Sequence, residues 1–113
     1  MSQITTHILD TAQGRPAAGV SVTLSTEDNG GWRELGAGVT DADGRVTGLL
    51  GAGPALPAGT YRMHFATAGY FDALGQSAFY PWVEVVFRIA GSGEHYHIPL
   101  LLSPYGYSTY RGS

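Results

Sequence analysis

Apolar and polar residues alternate along several short stretches of the chain. Between residues 20 and 25, Val20, Val22 and Leu24 alternate with hydroxyl side chains. A period of two is that of a β-strand with one face against a core and the other toward solvent. The same alternation predicts four further strands, whose inward residues are Ile4, Thr6 and Ile8; Tyr61, Met63 and Phe65; Val83, Val85, Phe87 and Ile89; and Tyr96, Ile98, Leu100 and Leu102.

Turn-forming residues separate these stretches, for example at 29–31 and 91–93. Short strands divided by such turns are typical of a β-sandwich or barrel. Residues 68–75 do not alternate strictly and predict one short helix. Residues 107–111 are rich in strand formers and predict a terminal edge strand, whose open edge could pair with a second subunit. Pro99 interrupts the last long strand and is expected at an edge or on a side not engaged in the ladder.

Composition and charge favour some classes of protein and argue against others. The 113 residues are 43% hydrophobic and 13% charged, which predicts one folded domain over residues 1–113. A net charge of −3 with six arginines and no lysine argues against a nucleic-acid partner. No apolar run approaches a membrane span and no leader-like segment opens the chain, so we expect a cytoplasmic protein. The absence of cysteine excludes disulfides and Cys-based zinc sites.

The four histidines are candidates for acid–base chemistry, because imidazole titrates near neutral pH. Alternation places His7 and His97 on outward strand faces, where they could line a cleft or an intersubunit surface; simple solvent exposure is the alternative. His95 and His97 share a face at a spacing compatible with metal chelation, and His7 could be a third ligand. Because no convergence or supporting carboxylate is evident, we predict no metal and no cofactor. His64 is expected at the surface without a partner.

Arg45 and the closing residues are the other candidates. Arg45 follows the turn 41–44, and its guanidinium would suit carbonyl or ureido groups or an anionic heterocycle; an ordinary turn arginine is the alternative. Asp41 and Asp43 are expected to bond to the turn backbone. A frayed tail is the alternative to a functional role for Tyr110, Arg111, Gly112 and Ser113. The sequence contains no nucleophile elbow, phosphate loop or dinucleotide fingerprint.

Several segments together resemble the transthyretin-related family of 5-hydroxyisourate hydrolases. They are residues 6–10 (Thr-His-Ile-Leu-Asp), 14–19 (Gly-Arg-Pro-Ala-Ala-Gly), 40–45 (Thr-Asp-Ala-Asp-Gly-Arg) and the long closing segment 95–113. The likeness covers essentially the whole chain, and the closing segment is its most specific part. Transthyretin, a hormone carrier, shares the fold but lacks the Tyr-Arg-Gly-Ser ending and histidines at positions like His7 and His97.

The resemblance implies a two-sheet antiparallel β-sandwich with one short helix, assembled as a homotetramer (a dimer of dimers) with sites in a central channel. The implied activity, in urate (purine) degradation, is hydrolysis of 5-hydroxyisourate to 2-oxo-4-hydroxy-4-carboxy-5-ureidoimidazoline. We predict that His97 or His7 activates water for attack on the ring carbonyl. The implied catalytic residues are His7, Arg45, His97 and Ser113. The implied substrate-binding residues are His7, Arg45, Tyr110, Arg111 and Gly112.

Three other functions are compatible with a sandwich of this size. The first is a transthyretin-like carrier that holds a planar ligand without turning it over. The second is a structural, adhesion-type domain, and the third is a metal-dependent activity. The histidines, Arg45 and the closing segment favour the enzyme.

Overall fold

The computed structural model describes residues 2–51 and 53–112, which form two four-stranded sheets and one helix. One sheet has the strand order β2-β1-β7-β8 and the other the order β4-β3-β5-β6. The predicted β-sandwich with one short helix is therefore confirmed. The elements are β1 (Ile4–Asp10), β2 (Arg15–Pro16), β3 (Ser21–Asp28), β4 (Gly31–Val39), β5 (Gly59–Phe65), α1 (Thr67–Ala73), β6 (Val83–Ile89), β7 (Tyr96–Ser103) and β8 (Gly106–Thr109).

The hydrophobic core lies between the two sheets. As the alternation predicts, the inward faces of β1 and β7 meet those of β3 and β5, and these inward residues are buried. Thr6 is the one polar residue among the predicted inward positions, and its hydroxyl donates a 2.6 Å hydrogen bond to the Ile98 carbonyl. Its burial is therefore compensated by a partner. His7 and His97 lie on the opposite, half-buried faces of their strands, again as predicted.

The pairing of β1 with β7 is parallel, whereas the other strand pairs are antiparallel. Parallel neighbours need a long connection, and here the whole second sheet lies between the two strands along the chain. The register places Thr5 opposite His97 and His7 opposite Pro99. This pairing brings the two ends of the chain together on one face.

The structure also departs from the predicted elements. Strands β4 and β2 were not predicted, and β8 ends at Thr109, two residues before the predicted strand end. Pro99 does not lie in an edge strand, because β7 is flanked by β1 and β8. The second expected place, a side not engaged in the ladder, is the one found: β8 ends at Thr109, so the ladder stops where Pro99 would have to donate. The Pro99 carbonyl instead accepts a 2.7 Å hydrogen bond from the Thr109 hydroxyl.

Helix α1 is fastened to β1 by a buried hydrogen bond. The Tyr70 hydroxyl donates to Asp10 Oδ2 at 2.7 Å, while Asp10 Oδ1 accepts the backbone N–H groups of Ala12 and Gln13. Burial raises the pKa of Tyr70 to about 12, and the hydrogen bond to Asp10 acts in the same direction. Asp10 thus joins the helix and the turn after β1, and it faces the core rather than the histidines.

Candidate active site

His97 lies at the centre of a polar group on the outward face of β1 and β7. Its Nδ1 is 2.8 Å from the hydroxyl oxygen of Thr5, its cross-strand neighbour. The same hydroxyl oxygen is 3.0 Å from Nε2 of His95. Thr5 therefore links two imidazole rings, although the residue pattern alone did not single it out. A threonine on an outward strand face is common, and only the register between β1 and β7 reveals its partner.

Arg45 reaches this face because the turn before it is fastened to β1. The Ile8 N–H donates to the Gly44 carbonyl at 2.8 Å, and a single antiparallel bridge pairs His7 with Arg45. Gly44 has a φ of +77°, and a Cβ there would overlap the Ile8 carbonyl oxygen. Only glycine allows so close an approach. As predicted, Asp41 serves the turn: its carboxylate accepts the N–H groups of Asp43 and Arg45.

The surroundings of His97 favour its neutral form. Burial lowers the pKa of His97 below its usual range, and the charge of Arg45 lowers it further, followed by the charges that His95 and His7 carry when protonated. A neutral imidazole can accept a proton, whereas an imidazolium cannot. The arrangement therefore suits His97 to act as a base at neutral pH.

A cavity opens beside these groups. It has a volume of about 580 Å³, and its lining includes Thr5, Arg45, His95 and His97. That volume is within the range of small-molecule sites. His7 is not among the described residues that line this cavity. His7 is paired with Arg45 by the strand bridge, and its protonated form would lower the pKa of His97.

The closing segment returns to His97 after the break at Pro99. The Gly112 N–H donates to the His97 carbonyl at 2.8 Å. A Cβ at Gly112 would lie 2.6 Å from Cδ2 of the His97 ring, closer than carbon atoms can pack. The glycine backbone thus covers one edge of the imidazole, and a larger residue would displace it.

Tyr110 and Arg111 do not reach His97 within one chain. The Arg111 guanidinium lies 4.4 Å from the centre of the Tyr96 ring, whose side chain points into the core. Tyr110 is exposed and, with Arg111, borders a separate apolar cavity between β6 and β8. The fourth residue of the closing segment, Ser113, lies outside the described residues. The structure therefore brings together His7, Arg45, His97 and Gly112, with Thr5 and His95 added.

The histidine pair does not converge as metal ligands do. His95 Nε2 and His97 Nδ1 both point at the Thr5 hydroxyl, which occupies the position between them. Within residues 2–51 and 53–112 no group of three histidine, cysteine or acidic side chains could hold a metal ion. His64 is far from this group, on β5 of the other sheet. It has partners that were not predicted, a 3.1 Å contact with Glu84 and a stacked contact with Trp82.

Comparison with known proteins places this arrangement in a family. A model described as the HIUase/Transthyretin family matches residues 4–112. The chain belongs to this family. The resemblance found in the sequence is thereby confirmed, and the matched range includes Thr5, His7, Arg45, His95, His97 and Gly112.

Both 5-hydroxyisourate hydrolases and a transthyretin in complex with thyroxine are among the proteins that the chain resembles. A 5-hydroxyisourate hydrolase of Salmonella dublin is 48% identical over 97% of this chain and 80% of its own length. A solved structure of the Klebsiella pneumoniae 5-hydroxyisourate hydrolase is 40% identical, covers 97% of this chain and 98% of its own, and has a TM-score of 0.84. Sea bream transthyretin in complex with thyroxine is 37% identical, covers 98% and 95%, and has a TM-score of 0.92. Backbone similarity therefore does not distinguish a 5-hydroxyisourate hydrolase from a transthyretin, and the comparison must rest on side chains.

The length of the helix decides whether it could cross a membrane. In the part of the chain that the structure describes, α1 is the only helix; it has seven residues and is too short to cross a membrane.

Proposed function

We propose that this protein hydrolyses 5-hydroxyisourate to 2-oxo-4-hydroxy-4-carboxy-5-ureidoimidazoline, a step in urate degradation. The observation that carries the proposal is a half-buried histidine, His97, held neutral beside Arg45 in a cavity of small-molecule size. The relatives that bear the name 5-hydroxyisourate hydrolase, at 48% identity over nearly the whole chain, support it.

In the proposed reaction His97 is the base. Its Nε2 takes a proton from water as the water oxygen forms a bond to the ring carbonyl carbon. The ring C–N bond then breaks, and the proton is returned to the departing nitrogen, so that the histidine ends as it began. Arg45 supplies the positive charge that stabilises the oxyanion. His7 is the alternative base; His97 is preferred because it lines the cavity and its pKa is lowered.

The remaining roles follow from the family pattern. We propose that His7, Arg45, Tyr110, Arg111 and Gly112 contact the substrate and that Ser113, with Arg111, orients or electrostatically biases the base. We further propose a cytoplasmic homotetramer, a dimer of dimers with the sites in a central channel. In such an assembly the closing segment of one chain would meet the site of another. Tyr110 and Arg111 would then not need to reach His97 of their own chain.

The decisive experiment measures turnover directly. Purified protein is added to 5-hydroxyisourate freshly made from urate by a urate oxidase, and the ultraviolet decay is compared with the spontaneous rate. His97→Asn is expected to lower the catalysed rate about 100-fold, the usual effect of removing a positioned base. His64→Asn is the matched control, because His64 lies on the other sheet and contacts Glu84, and it should keep full activity.

Two results would contradict the proposal. No acceleration by the unaltered protein would favour a carrier, a reading that the sea bream transthyretin fold also allows. An unchanged rate in His97→Asn would remove His97 as the base and leave His7. The assay is also repeated with a chelator. A metal-dependent activity would then be lost, whereas the proposed His97-based activity would remain.

A further inference from the structure

The Thr5 hydroxyl sits between His95 and His97 at hydrogen-bonding distance from both. A hydroxyl group has one hydrogen to donate and lone pairs to accept. The two imidazole rings are the only hydrogen-bond partners of this hydroxyl among the described residues. Its hydrogen therefore goes to one imidazole while its oxygen accepts from the other, and the two hydrogen bonds run in one direction. The state of His95 is thus coupled to the state of His97 through a single rotatable O–H.

Two orientations satisfy all three groups. In the first, His97 Nδ1–H donates to Thr5, and Thr5 donates to His95 Nε2. His97 Nε2 then carries no hydrogen and is free to accept a proton. In the second, His95 Nε2–H donates to Thr5, and Thr5 donates to His97 Nδ1. His97 Nε2 then carries the hydrogen and is useless as a base.

The ring geometry leaves Nε2 as the nitrogen that can act on a ligand. Nδ1 is engaged by Thr5, and Cδ2 faces the Gly112 backbone. Once Nε2 takes a proton, the ring is an imidazolium whose Nδ1–H must donate to Thr5. The first orientation already has this bond, whereas the second would require the hydroxyl to turn during the reaction. A bond formed in advance costs no reorganisation in the transition state.

We propose that Thr5 is a positioning residue that, with His95 as its acceptor, holds His97 in the tautomer whose proton is on Nδ1. The importance of this tautomer for turnover rests on the proposed function, but the tautomer itself does not. Neither Thr5 nor His95 is assigned contact with the reacting atoms; both act through His97. The pair thereby determines which face of the imidazole is basic.

Nitrogen NMR tests the proposal without substrate. In protein with ¹⁵N-labelled histidine at pH 8, two-bond nitrogen–proton correlations distinguish the two neutral tautomers. The His97 signal is identified by its loss in His97→Asn, and His64 serves as an internal reference. We expect the Nδ1–H form for His97 in the unaltered protein. Finding the Nε2–H form would overturn the proposal.

Variants then show whether Thr5 and His95 set the tautomer. Thr5→Val removes the hydroxyl at nearly constant shape, and we expect the Nε2–H form of His97 to predominate. Thr5→Ser keeps the hydroxyl and should retain the Nδ1–H form. His95→Ala removes the acceptor at an exposed position, so it tests the same link even if Thr5→Val fails to fold. A tautomer unchanged in His95→Ala, or in a folded Thr5→Val, would refute the coupling.

Kinetics provide the second readout. Thr5→Val should lower kcat about fivefold to tenfold, the effect of losing one hydrogen bond, with little change in KM. Thr5→Ser should restore most of the loss. If the unaltered protein does not act on 5-hydroxyisourate, the proposed function fails and the NMR result alone decides the tautomer. A normal kcat in a Thr5→Val protein whose tautomer has changed would show that the tautomer does not limit turnover and would overturn the positioning role.

Discussion

Two histidines on outward strand faces, His64 and His97, have different chemical surroundings because their immediate neighbours differ. His64 Nδ1 lies 3.1 Å from a Glu84 carboxylate oxygen. His97 has no carboxylate among its described hydrogen-bond and ion-pair partners and is surrounded by a hydroxyl and three cationic or ionisable groups. The same type of side chain therefore contacts a carboxylate in one sheet and is a candidate base in the other. Position on a strand face alone does not distinguish these two roles.

The pH dependence of turnover should show the effect of Arg45 on His97. His97 accepts a proton only when neutral, and its pKa is lowered, so kcat/KM should fall on acidification only below about pH 6.5. Arg45→Gln removes a positive charge that lowers this pKa. The acid limb should therefore move to higher pH, and the plateau should fall about 100-fold as oxyanion stabilisation is lost.

Rate profiles between pH 5 and 8 would check both effects. Arg33→Gln is a suitable control, because Arg33 pairs with Asp28 on the exposed strand β4, and its profile should match that of the unaltered protein. If the acid limb of Arg45→Gln coincides with that of the unaltered protein, Arg45 does not act on the titrating group.

Some strands could be predicted from the sequence and others could not. Strands with one buried face were predicted with their correct inward residues, because burial imposes a period of two. Strand β4 was missed for the converse reason. It is an edge strand that buries neither face fully and contains three glycines among its nine residues. Strand β2 has only two residues, too few for any periodicity to appear.

The candidate site was predicted in part, for a similar reason. His7, Arg45 and His97 could be singled out from residue type, strand face and family likeness. The roles of Thr5 and His95 depend on the register between strands almost the whole chain apart, which no local pattern encodes. The position of Arg111 over the Tyr96 ring likewise could not be predicted from a local pattern.

The attachment of α1 to β1 can be tested through stability. Tyr70→Phe leaves a buried Asp10 oxygen without its donor, and we expect a loss of about 1–3 kcal/mol in the free energy of unfolding. Tyr105→Phe is the control, because Tyr105 is 74% exposed; it should change stability by less than about 0.5 kcal/mol. Equal urea midpoints for the two variants would mean that the Asp10 bond contributes nothing.

The stability at alkaline pH tests the Tyr70–Asp10 hydrogen bond in a second way. The folded protein holds the Tyr70 proton until about pH 12, while an unfolded chain releases it near pH 10. Between these values the folded state binds more protons than the unfolded state, so stability must fall as the pH rises. Tyr70→Phe should lose this part of the alkaline decline. A decline of the same size in both proteins would assign it to other tyrosines.

At the scale of the whole molecule, two open strand edges lie side by side. Strands β6 and β8 end their respective sheets, and both border the apolar cavity near Tyr110. Exposed Val86 and Tyr107 lie on these strands. Open edges of this kind pair readily with another chain, which makes this side of the sandwich the natural place for a subunit contact. Strand β4, the other edge strand of the second sheet, can be compared with β6 as a possible subunit contact.

The assembly prediction uses that comparison. Val86→Lys places a charge on edge strand β6 and should reduce the molecular mass measured by light scattering at micromolar concentration. Val39→Lys makes the same change at a similarly exposed valine on β4 and should leave the mass unaltered. A single-chain mass for the unaltered protein would contradict the proposed tetramer. Equal dissociation by both variants would show that β6 is not the contact.

The parallel pairing of β1 with β7 has a consequence for how the protein is made. Thr5 and His97 are 92 positions apart in the chain, and Gly112 closes over His97 later still. During synthesis the sheet containing β3, β4, β5 and β6 is complete before the ribosome has reached His97. Strand β1 therefore stays unpaired on its β7 side until residues 96–103 have emerged. The group around His97 can therefore form only after residue 112 has been made, and a fragment that stops before β7 cannot contain it.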